Sequence, residues 1–152
     1  MSYVNRQLQV SLHILCTHVE SAQLTMPVQS ERSMKWQAQV NTTHEQRVEH
    51  GSRRWDVVTK IEGIIRKFLP KQYAETSGGQ VLDVAWIFEN TLHRLASSLE
   101  TYCQENFLEQ RIKALARAYA LRIVARNSEL EKYRSTLMRP RPRPLIRAAG
   151  AA

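Results

Sequence analysis

Hydrophobic positions in this chain fall into three stripes of helical period, followed by a tail that cannot be helical. The first stripe is Val57, Val58, Ile61, Ile64, Ile65, Phe68 and Leu69. Pro70 ends it, because proline has no N–H and disfavours helix in the residue before it. Gly63 inside the stripe costs about 1 kcal/mol relative to alanine, which the flanking apolar face outweighs. The second stripe is Val81, Leu82, Ala85, Phe88, Leu92, Leu95 and Ala96, widened by Val84 and Trp86 as in a helix with two neighbours. A third runs from Tyr102 through Leu108, Ile112, Leu115 and Tyr119 to Ile123. The stripes predict helices over 53–69, 80–96 and 98–126.

Punctuation between the stripes agrees with these limits. Ser97 with Glu100, and Ser77 with Gln80, have capping-box spacing, in which a hydroxyl and a carboxylate or amide satisfy orphan N–H groups at a helix start. The stretch KQYAETSGG reads as a connecting loop. Residues 1–51 are weakly patterned, rich in Gln, Ser, Thr and His, and are expected to be weakly structured and mostly disordered. Within them Leu8, Val10, Leu12 and Ile14 alternate, more like a strand than a signal-peptide core. After residue 126, Pro140, Pro142 and Pro144 favour extended polyproline II, so 127–152 is expected to be a disordered basic tail. The expected architecture is all-α: a three-helix domain over 52–126 between two flexible ends.

Composition changes this picture in one respect. The chain has 152 residues and a formal net charge of +8. Residues 1–51 carry four bases and four acids, and 52–104 seven and six. From Glu105 onward there are eleven bases and four acids. The excess lies in the last third, so the pI says little about the central domain. Cys16 and Cys103 share no motif spacing, which fits a reducing compartment. Nothing approaches the roughly 20 apolar residues of a membrane span, and no membrane partner is expected.

Candidate chemistry is sparse. His13, Cys16 and His18 are too few for a structural zinc site, which needs four ligands, and no metal is expected. No nucleophile–base–acid set and no phosphate loop is legible, so neither an enzyme nor a cofactor is expected.

Two stretches carry a family resemblance. RWDVVTKIEGIIRKFLP (residues 54–70) resembles the first helix of KIX domains, most closely the plant Mediator form, with its Lys-Ile and closing Leu-Pro. FENTLHRLASSLETY (residues 88–102) resembles the end of their second helix, where an apolar residue and Glu precede Ala-x-Ser-x-x-x-Tyr. Phe88, Glu89, Ala96, Ser98 and Tyr102 supply those positions here. WQAQV (Trp36–Val40) is similar to the segment preceding the plant domain. Arg111 stands where animal KIX domains carry a tyrosine that helps bind phosphoserine.

The resemblance implies a three-helix KIX-like bundle that acts as a transcription coregulator module of Mediator type, in the nucleus. Its partners would be amphipathic activation-domain helices of transcription factors, and Mediator subunits. It also implies a groove with Val57, Lys60 and Ile64 on one wall and Cys103, Phe107 and Arg111 on the other. Val57 and Ile64 could equally be ordinary core. Val58, Ile61, Ile65, Phe88, Leu92 and Leu115 are expected in the core, Glu89 paired with a base, and the Tyr102 hydroxyl at the surface. The alternative function is a small basic nucleic-acid-binding protein, with contacts made weakly through the tail.

Overall fold

The computed structural model describes residues 3–18, 27–76 and 78–137. All seven elements among them are helices: α1 (Tyr3–His18), α2 (Glu31–Gln39), α3 (His44–Phe68), α4 (Lys71–Thr76), α5 (Gly78–Leu95), α6 (Leu99–Cys103) and α7 (Leu108–Leu137). The expected all-α class holds, with four more helices than the stripes predicted.

The largest difference lies in residues 1–51, expected to be weakly structured. Leu8, Leu12, Leu15 and Cys16 are all buried. Their spacing of four, three and one is helical, and it is the true period of the segment that looks alternating. Val10, which suggested a strand, is 54% exposed. Ser30 caps α2 by accepting from the Ser33 N–H at 3.2 Å, and Trp36 is buried. Thr43 and Gln46 form a reciprocal capping box that starts α3 at His44, well before the expected start near residue 52.

The remaining boundaries shift for local reasons. Part of the expected loop forms the short helix α4, whose first carbonyl partner is Pro70. Ser77 lies outside the described residues. The cap between α5 and α6 is Ser98, which accepts from the Thr101 N–H at 3.1 Å, and not Ser97. The expected helix 98–126 is broken at Gln104–Phe107. Tyr102 and Leu108 are six residues apart, which in one straight helix places them about 120° out of register. The break lets both be buried. α7 then continues to Leu137, eleven residues past the expected end at Arg126. The proline-rich stretch 138–152 lies outside the described residues.

Packing is centred on two helix pairs. α1 lies along α7 and α3 along α5. Phe88 and Tyr119 stack between the pairs with centroids 6.0 Å apart, and the Tyr119 and Thr91 hydroxyls are 2.6 Å apart. Val58, Ile61, Ile65, Phe88 and Leu92 are buried as expected, whereas Leu115 is only half-buried at the edge. A single apolar cluster joins residues of α1 and α2 to all the later helices, so it runs straight across the expected boundary at residue 52. Burial pushes the Cys16 thiol in this cluster up to about 11. Among the described residues no helix is long and apolar enough to cross a membrane.

Candidate docking site

Four of the six expected groove residues come together. Val57, Lys60 and Cys103 border a cleft of about 190 Å³ between α3 and the α6–α7 corner, floored by Tyr102 and Leu108. Ile64 borders an adjoining hollow of about 550 Å³ that shares Lys60, Glu105 and Leu108. Phe107 and Arg111 line neither. Phe107 points outward from the turn before α7, 50% exposed. The Arg111 guanidinium turns back to donate to the Thr101 carbonyl at 3.2 Å, and its partial burial lowers its pKa. The break in the helix separates these two from Cys103.

This trough is a poor apolar groove. Val57 is 9% and Leu108 6% exposed, so a partner would remove little further apolar surface from water. Ion pairs also straddle it. Lys60 pairs with Glu105, and Lys67 with Glu109 at 3.3 Å. Both lysines are already matched by carboxylates that would repel an acidic ligand. Lys60→Ala should change stability by less than about 1 kcal/mol, as for exposed pairs generally. Chemical denaturation checks this; a larger loss would make Lys60 a structural residue.

Beneath the trough lies a buried polar cluster. Arg54 grips Glu89 with two hydrogen bonds, Nε to Oε1 at 2.7 Å and Nη2 to Oε2 at 2.6 Å. The Tyr102 hydroxyl donates to Glu89 Oε1 at 2.7 Å and is buried, not at the surface as expected. Burial first, and then the Glu89 carboxylate, raise the Tyr102 pKa. Glu89 does pair with a base, as expected. Beside it the His50 and His93 Nε2 atoms lie 2.9 Å apart, and Trp36 packs edge-on against both rings.

A second, more apolar groove had not been anticipated. It opens between α1 and α7, about 450 Å³ in volume, with Val10 and Ile14 on one side and Ala120, Leu121 and Val124 on the other. Val10, Leu121 and Val124 are 54%, 70% and 51% exposed. Arg6 and Arg117 stand on its rim. The signal was present in the sequence: Leu121 and Val124 lie off the stripe that buries Ile112, Ala116, Tyr119 and Ile123. It could be read only once α1 was recognised as a helix. Comparison with family models, curated proteins and solved structures yields no match.

Proposed function

We propose that this chain is a helix-docking interaction module that takes an acidic amphipathic segment in the groove between α1 and α7. The observation that supports it best is the pairing of three half-exposed or more exposed aliphatic side chains with two rim arginines. Covering Val10, Leu121 and Val124 contributes about 3 kcal/mol by area, and the partner's own apolar face contributes a similar amount. Arginine forks suit carboxylates, adding orientation and faster encounter. A segment that orders on binding loses part of this gain, which leaves affinities on the order of micromolar.

The resemblance to KIX domains names the partner class within this reading: activation domains of transcription factors, with the module acting as a nuclear coregulator of Mediator type in a KIX-like bundle. The groove proposed here differs from the one the resemblance implies.

The test is an NMR titration of the full chain with an acidic amphipathic peptide, its Gln-substituted neutral form, and duplex DNA. Saturating shifts at Val10, Ile14, Leu121 and Val124 are expected, at least tenfold weaker for the neutral peptide or for Leu121→Asp. Shifts centred on Val57, Lys60 and Ile64 would move the site back to the trough. Saturable DNA binding that weakens steeply with salt, without peptide shifts, would favour the nucleic-acid function.

A further inference from the structure

We propose that the strap of residues 27–43, with α2 at its centre, is a proton-sensitive latch. Adding a proton to the His50–His93 pair releases α2 from the C-terminal end of α5 while the other helices stay packed.

The contact between the two histidine rings holds a single proton. Of two Nε2 atoms 2.9 Å apart, one must carry hydrogen and the other must offer a lone pair. Protonating the acceptor sets two N–H groups head to head. Where His50 Nε2 is the donor, a second proton on His50 goes to Nδ1, which is buried without a hydrogen-bond partner.

The surroundings oppose an imidazolium as well. From α3 the pair is faced by Arg53 and Arg54, from α5 by Glu89 and Arg94, and from α6 by Tyr102. From α2 the neighbour is the uncharged Trp36. Glu89 already accepts from Arg54 and Tyr102. Glu49, which borders the same cavity as His50, pairs with Arg53. Burial first, and Arg54 next, pull His93 down to about 4 and lower His50.

The strap is fastened at this point. The Trp36 indole N–H donates to the Ala96 carbonyl at 2.8 Å. Gln37 Nε2 donates to the His93 carbonyl at 2.9 Å, and Ser33 Oγ to the same oxygen at 3.4 Å. These side chains satisfy carbonyls at the end of α5 that have no partner within the helix. A shift of His93 to accommodate a second proton therefore disturbs both holds on its own carbonyl and the ring contact with Trp36, leaving the Arg94 bond to the Pro27 carbonyl at 3.4 Å as a further hold on the strap.

The sign follows from the lowered value. A histidine held neutral in the fold contributes fully above its ordinary pKa of 6.5, and the contribution is lost as pH falls toward about 4. An opening that frees His93 becomes about thirtyfold more populated at pH 5 than at pH 7.5.

Hydrogen exchange and NMR of the full chain between pH 7.5 and 5.0 test this. Protection in α2, corrected for intrinsic exchange, should fall about thirtyfold by pH 5 while α3, α5 and α7 hold. The Trp36 indole signal should move together with the His50 and His93 ring signals. In the His50→Gln, His93→Gln double variant the acid response should vanish. Unchanged α2 protection, an equal loss in every helix, or a persisting response in the double variant would each overturn the latch. If the double variant does not fold, the wild-type signals decide: coincident midpoints for Trp36 and the histidines sustain the proposal, and separate midpoints overturn it.

Discussion

Phe88→Ala is expected to cost about 3–5 kcal/mol of stability, the range for removing a fully buried aromatic ring. Phe88 is 0% exposed and stacks on Tyr119. Two features put the loss near the upper end. The Tyr119 hydroxyl is tied to Thr91, so the tyrosine cannot slide into the vacated volume. The ring also sits where α5 meets α7, so the cavity opens between the two helix pairs rather than at an edge. A loss of this size lowers the melting temperature by roughly 10–20 °C. Phe107→Ala, at a half-exposed turn position, should stay within about 0.5 kcal/mol. Parallel denaturant titrations measure both; comparable losses would remove Phe88 from the centre of the fold.

The ion pair under the trough should respond unequally to loss of its two members. The Glu89 side chain is 0% exposed, whereas that of Arg54 is 28% exposed. Arg54→Met leaves a carboxylate in the interior with only the Tyr102 hydroxyl beside it, and should cost about 3–5 kcal/mol. Glu89→Gln leaves a guanidinium that can turn toward water, together with an amide that still accepts from Tyr102. Its cost should be smaller, about 1–3 kcal/mol. Equilibrium unfolding of the two variants at neutral pH gives the order, and the reverse order would mean that Arg54 and not Glu89 is the trapped charge.

What the sequence disclosed depended on how many residues each element contributes to one side. α3 and α5 bury long runs of aliphatic side chains, so their existence and inward faces were legible. The pairing of Glu89 with a base was legible too, but its complete burial was not. α1 was missed because its inward residues, Leu8, Leu12 and Leu15, are interleaved with Val10 and Ile14, which line the groove. Two overlapping apolar sets on a short helix imitate alternation. The break at Gln104–Phe107 carries no proline or glycine. It arises from the competing demands of Tyr102, drawn to Glu89, and Leu108, drawn to the core, and those demands exist only in three dimensions. One expected wall of the groove divides for a related reason: continuous helical counting places Cys103, Phe107 and Arg111 on one line, and the break separates Phe107 and Arg111 from Cys103. Pairing of Lys60 with Glu105 is likewise a long-range match that spacing cannot reveal.

The lengthwise packing of α1 on α7 bears on how fast the chain can find its fold. The two helices are joined by residues 19–107, so their contacts close one of the longest loops available to the chain. α3 and α5, by contrast, are neighbours in sequence and can pair early. Helical domains fold quickly when their contacts are local, and distant contacts slow them because chain entropy is lost before those contacts form. The α3–α5 pair is therefore the natural nucleus, and seating of α1 the late step. Until it is seated, Leu8, Leu12 and Leu15 and the apolar stripe of α7 are both uncovered, which makes that interval the one in which association with other chains competes with folding.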